Sequence, residues 1–168
     1  MMIKKTRIIL ILSLAIACQC CILSDECDDC FTPPSPVWFK IVNANDTLQN
    51  LITKDFYSID SIKMWYEENS QKKYVDLVLI NTENFENIIQ STATFYCING
   101  EPRDFYLYLN NSDTDTIQLQ VTAHSDGCCT SFSLESIKFN GEEPPFDSVN
   151  YAYLLKKKLS INQSNPCS

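Results

Sequence analysis

One histidine, His124, and three glycines stand among 168 residues. A lone histidine leaves no His-x₃-His partner for a zinc site of the common mixed type. No Gly/Ser-rich linker divides the chain beyond its N-terminal region, so one domain is expected there. Basic residues are scarce too: 13 Lys+Arg face 21 Asp+Glu, for a net charge of −8. Phosphates are repelled by such a balance, which argues against nucleic acid as a partner. Long hydrophobic runs are missing as well. The longest, Ile8–Ala17, is interrupted by Ser13, whereas a helix needs about 20 apolar residues to cross a hydrocarbon core. A hydrophobic content of 45% nevertheless excludes a wholly disordered chain.

What is present begins with Lys4, Lys5 and Arg7, then the apolar run, then small residues at Ala15 and Ala17. A basic start, an apolar middle and a small-residue exit describe a secretory signal over residues 1–17. An uncleaved anchor running on to Leu23 is opposed by Gln19 and by the acids that follow. Cleavage removes three of the 13 basic residues and leaves 10 against 21 acids, a net −11. Charge of that size supports the solubility of an exported domain.

"LAIAC", Leu14–Cys18, resembles a bacterial lipobox, with Ala15 where leucine is usual. The resemblance implies that Cys18 becomes a lipidated mature N-terminus. Each buried CH₂ contributes about 0.8 kcal/mol, so several acyl chains, palmitate-like in length, moor a protein without a spanning helix. The same residues fit an Ala-x-Ala site, "AIA", which would release a free secreted protein. Asp25, Glu26, Asp28 and Asp29 follow; they read as a solvated acidic tether over residues 18–34 and resemble the surface-export signals of Bacteroidetes-type lipoproteins.

Beyond the tether, period-two alternation dominates. In "DTIQLQVTAH", Ile117, Leu119, Val121 and Ala123 share one face and Gln118, Gln120, Thr122 and His124 the other. Phe105, Leu107 and Leu109 oppose Tyr106 and Tyr108 in "DFYLYLN", and Phe39 and Ile41 oppose Trp38, Lys40 and Val42 in "VWFKIVN". These are half-buried antiparallel strands. "YSIDSIKMWYEE", "KYVDLVLIN", "STATFYCI" and "SFSLESIKFN" are further strand candidates rich in β-branched and aromatic residues. Glu83–Ser91 reads as a short helix or a crossover loop. Asn99-Gly100 signals a tight hairpin, and a second Asn-Gly precedes Pro144-Pro145, which end pairing. Seven or so short strands predict an all-β fold: a single antiparallel β-sandwich over residues 35–159, with a small barrel as the alternative. A last strand is expected over Asn150–Leu155, Lys156–Lys158 as a solvated charge cluster, and residues 160–168 as a loose tail.

Nine cysteines occur. With Cys18 lipidated, eight remain, an even number that favours disulfides in an exported protein. The candidates are Cys27, Cys30, Cys97, Cys128 and Cys129. A bridge from Cys97 to Cys128 or Cys129 is expected inside the domain, with Cys27 or Cys30 tied to the remaining one. "CDDC" with Cys128-Cys129 also offers four thiolates, but adjacent cysteines fit tetrahedral zinc poorly. A redox Cys-x-x-Cys needs a helix start, and the acidic setting raises thiol pKa. Neither a metal nor a cofactor is expected.

Other chemistry is thin. His124 lies near Ser125, Asp126 and Ser131 in sequence, but nearness is not triad geometry, and a strand-end histidine facing solvent is expected. Asn111, Asp113 and Asp115 place oxygens at alternate positions, yet the glycine and distal glutamate of a calcium loop are missing. Trp38, Trp65, Tyr66, Tyr106 and Tyr108 fall on or near the face opposite the core. They are the candidate contacts for a glycan or protein ligand, or else they fill the core of a second sheet.

"CDDCFTPPSPVWFKIVNANDTLQNLI", "YSIDSIKMWY", "DTDTIQLQVTAHSDGCC" and "IKFNG" resemble stretches of small Bacteroidetes-type lipoproteins of unknown function. That resemblance implies an Ig-like or transthyretin-like β-domain in the cell envelope, lipid-anchored at the outer membrane and exposed at the surface, and it carries over no catalytic residues. The expectation is a non-enzymatic ligand-binding, adhesion or scaffold domain. The alternative is a hydrolase acting on envelope glycans or other polymers.

Overall fold

Strands account for most of the described residues in the computed structural model, which describes residues 30–83, 85–126 and 129–159. The strands are β1 (Cys30–Phe31), β2 (Val37–Asn43), β3 (Asp46–Asn50), β4 (Lys63–Glu68), β5 (Gln71–Val75), β6 (Leu77–Thr82) and β7 (Phe85–Ser91). They continue with β8 (Arg103–Asn110), β9 (Asp113–Asp126), β10 (Cys129–Phe139), β11 (Phe146–Asp147) and β12 (Ala152–Lys157). Two 3-10 turns, Ile59–Ser61 and Ala93–Tyr96, interrupt them.

The chain divides into two compact units, Met1–Phe31 with Ser125–Thr130, and Thr32–His124 with Ser131–Ser168. In the first unit, β1 runs parallel to the start of β10, with Cys30 opposite Cys129 and Phe31 opposite Thr130. Cys30 and Cys129 are joined by a disulfide.

The second unit holds a mostly-β fold of two sheets. One has the order β10-β9-β8-β4-β5, the other β11-β12-β2-β7-β6, with β3 beside β2. Most neighbours are antiparallel, but β12 lies parallel to β2. Buried faces of both sheets share one core: Phe39 and Ile41 from β2, Met64 from β4, Phe105 and Leu107 from β8, Leu119 from β9 and Leu155 from β12. Alternation predicted this face correctly for β8 and β9, where Phe105, Leu107, Leu109, Ile117 and Leu119 are fully buried. Ala123 departs from it and is exposed.

Three departures share one cause, a residue that breaks period two. Val42 is buried beside Ile41 instead of facing out, because the β2–β3 register shifts between Val42 and Asn43. The segment expected as helix or crossover is strand β7. Asn87 sits there at φ 47°, and Ile88 and Ile89 are buried in succession. A bulge of this kind hides the alternation that marks a strand. "STATFYCI" leaves the strand after Ser91 and forms the 3-10 turn Ala93–Tyr96. Ser91 Oγ accepts the Ala93 N–H at 3.2 Å, and Thr92 leaves the extended region with ψ 14°; a serine hydroxyl here competes with the ladder.

The turns also rearrange the expectation. Asn140 and Gly141 both have positive φ, 51° and 86°, and Phe139 and Glu142 exchange backbone bonds of 2.7 and 3.1 Å across them. That is a type I′ turn. Asn99-Gly100 does not join two strands; it follows the second 3-10 turn, with the Gly100 N–H on the Cys97 carbonyl at 3.3 Å. Asn69 and Ser70, at φ 51° and 60°, form the β4–β5 hairpin instead. No helix among the described residues is long and apolar enough to cross a membrane. The residues expected to form a signal sequence (1–17), Cys18, most of the expected tether and the expected tail (160–168) lie outside the described residues.

Candidate functional site: an uncharged aromatic groove

A groove of about 620 Å³ opens in the second unit. Its rings are Trp38, Phe85, Phe132, Phe146, Tyr151 and Tyr153, and Val37, Val121 and Leu134 add aliphatic surface. Ser35, Gln90, Thr94 and Ser133 supply polar atoms. None of its described lining residues carries a charge, in a chain of net charge −8.

Local sequence builds each wall. Pro34 and Pro36 fix φ on either side of Ser35, and Thr94 Oγ1 donates to the Ser35 carbonyl at 2.8 Å. This holds the entry to β2, and so the position of Trp38. Trp38 meets Phe85 edge-on, with centroids 5.7 Å apart. Phe146 and Tyr153 pair across β11 and β12, also edge-on, at 5.0 Å.

The loop between those strands is tied by Asp147. Its Oδ1 accepts the Val149 and Asn150 N–H groups at 3.0 and 3.3 Å, and its Oδ2 accepts Asn150 Nδ2 at 2.6 Å. Desolvation opposes ionisation, but these bonds and the Lys40 charge outweigh it and hold the carboxyl below its ordinary value. The loop ends at Tyr151, held at φ 52° and 67% exposed. Backbone strain at a tyrosine that presents its ring to solvent is the kind of feature that clusters at ligand sites. Burial raises the Tyr153 phenol above its ordinary value, so it remains a neutral donor at physiological pH.

The sequence-derived candidates scatter over three places. Trp38 lies in the groove. Trp65 stacks on Tyr106 at 5.7 Å and tilts against Tyr74 at 6.3 Å, with Lys72 Nζ 4.3 Å from its ring, forming a separate cross-strand row on β4, β5 and β8. Tyr108 donates its hydroxyl to Asn111 at 2.6 Å. Tyr66 is a correction: it is 6% exposed and packs on Phe105 and Tyr96, with the Arg103 guanidinium 4.8 Å from its ring. It faces the core because β4 pairs with β8 in a register that sets Trp65, not Tyr66, beside Tyr106. Five groove rings escaped the sequence reading. Phe146, Tyr151 and Tyr153 crowd into eight residues, and that density was the available signal.

The cysteines need a correction too. Cys97 is a buried free thiol, not a disulfide partner. Burial pushes it up to about 11 against the lowering effect of Arg103, and its sulfur contacts the Ala93 carbonyl oxygen at 3.6 Å. The 3-10 turn carries it inward, where alternation had set it at a strand end. Because Cys30 and Cys129 are oxidised to a disulfide, the four-thiolate zinc arrangement is unavailable. Cys27 and Cys128 lie outside the described residues.

The acidic turn behaves differently from a calcium loop. Lys157 Nζ meets Asp113 Oδ1 at 2.6 Å and both oxygens of Asp115 at 2.7–2.8 Å. Tyr57 donates to Asp113 at 2.6 Å, and Asn140 Nδ2 to Asp115 at 2.8 Å. The lysine, expected in a solvated cluster, supplies the cation. Among the described residues no group of acids, cysteines and histidines is arranged to hold a metal. His124 is exposed, with Nε2 2.7 Å from Ser133 Oγ at the groove.

No family model, no curated protein and no solved structure matches this chain.

Proposed function

We propose that this chain is a non-enzymatic lipoprotein of the cell envelope, moored through Cys18 at the outer membrane, whose β-domain binds an uncharged ligand in the aromatic groove. The two sheets with a shared core fit the finer reading of an Ig-like or transthyretin-like sandwich. The observation that carries the binding reading is the groove itself: six rings, amide and hydroxyl groups, and no charge in its described lining. Concave, largely apolar sites with a few fixed polar groups are where small ligands bind. Flat rings with neutral donors beside them suit a neutral saccharide, whose C–H faces stack on aromatics and whose hydroxyls take hydrogen bonds.

A glycan array probed with the full chain tests this, together with assays for product release. The reading expects binding to neutral glycans that Trp38→Ala weakens at least tenfold, with no turnover. Cleavage of a bound polymer, abolished by one acid-to-amide change, would favour the hydrolase instead. Binding only to charged glycans, or none, would remove the groove as the site.

A further inference from the structure

The two sheets end in strands that are protected to very different degrees. β5 carries Lys72 and Lys73 along the edge of its sheet. β11 is only two residues long, and β3 is short and polar (DTLQN). Charge and shortness are the usual ways of blunting an edge. β6 has neither. It reads LVLINT over six residues, without charge or proline, and it ends its sheet.

Leu77–Ile80 forms a regular ladder with β7, opposite Ser91, Gln90, Ile89 and Ile88. The register breaks only beyond Ile80, so the bulge at Asn87 does not twist this stretch away. Val78 is 54% exposed on one face. Leu77 and Leu79 on the other face pack against the core but stay only partly buried. Among the described residues no strand pairs with the outer edge of β6.

We propose that β6 pairs antiparallel with β6 of a second copy of this chain. Centring the two-fold axis on Leu79 places Leu79 opposite Leu79, Val78 opposite Ile80 and Leu77 opposite Asn81. Asp76 then faces Thr82, so no like charges oppose each other. A two-fold interface must be complementary to itself, and an uncharged strand meets that condition in a chain of net charge −8. The main-chain groups of both edges become paired, and Val78 and the half-buried leucines gain cover. The inference is independent of the groove.

Full-length chain carrying Val78→p-benzoylphenylalanine, co-expressed in two tagged forms and irradiated in intact cells, tests the pairing. The expected product carries both tags at twice the mass of the uncrosslinked tagged chain from the same cells, and the same probe at Tyr74 on β5 gives none. A second variant, Val78→Lys, changes an exposed residue; it should keep its thermal unfolding profile while the doubly tagged product of a probe at Ile80 falls at least tenfold. Absence of that product, an adduct of a different mass, or equal yield from Tyr74 would overturn the proposal, as would a dimer unmoved by Val78→Lys.

Discussion

Lys157, on β12 of one sheet, closes on Asp115, on β9 of the other, at 2.7 Å, with side-chain exposures of 12% and 7%. Asp113 completes the arrangement from the same strand. Removing the cation leaves two neighbouring carboxylates without it in a poorly solvated place. Lys157→Met is therefore expected to destabilise the fold by about 3–5 kcal/mol, read from the midpoint of urea unfolding. Because the lysine already fills the site, millimolar calcium should leave the wild-type midpoint unchanged.

Cys30 and Cys129 are 99 residues apart in sequence. Closing a loop of that length restricts the unfolded chain, and the pair Cys30→Ser and Cys129→Ser should cost about 4–5 kcal/mol. Equilibrium unfolding under non-reducing conditions measures this. Cys97 should behave in the opposite way: buried and pushed up to about 11, it should resist iodoacetamide at pH 8 in the folded protein. Mass spectrometry after unfolding should then find the added carbamidomethyl group.

The alkaline limb of stability has a defined sign. Tyr57 is raised by burial first and then by its hydrogen bond to Asp113; Tyr66 and Tyr153 are raised mainly by burial. A group raised on folding contributes stability that is fully present below its unfolded value and is lost as pH climbs toward the folded one. The three phenols start from 10.0, so Tm should fall above about pH 10. Tyr57→Phe should flatten that fall at a cost of about 1 kcal/mol at neutral pH. Asp147 runs the other way: its contribution is present above 3.8 and is lost as acid carries the solution through its lower folded value. Asp147→Asn should therefore flatten the acid limb.

How far the molecule could be read beforehand follows from where period two survives. From Phe105 to Leu109 in β8 and from Ile117 to Val121 in β9 every second residue is buried in the core, and the sequence displays it. In β7 the left-handed Asn87 sets Ile88 and Ile89 side by side, which imitates neither a strand nor a clean helix. The ion cluster was hidden for another reason. Asp113 and Asp115 announce ligand oxygens, but Lys157 arrives from 42 residues beyond Asp115, through a parallel pairing with β2 that no local pattern specifies. The groove was legible only at Trp38, because its other rings come from loops and strand ends whose positions depend on the fold. Asn87→Ala would test the bulge: a non-glycine residue less tolerant of positive φ should cost about 1 kcal/mol, and the loss of the Asn87 bond to Thr53 at 2.6 Å adds to it.

The chain has two tryptophans, Trp38 in the groove and Trp65 in the separate row on β4. Fluorescence titration of Trp65→Phe with a neutral oligosaccharide, where Trp38 alone reports, is the most direct measurement of the binding claim. The account predicts a saturable change in Trp65→Phe and none in Trp38→Phe. A saturable signal from Trp38→Phe with a silent Trp65→Phe would contradict it and move the site to the outer row.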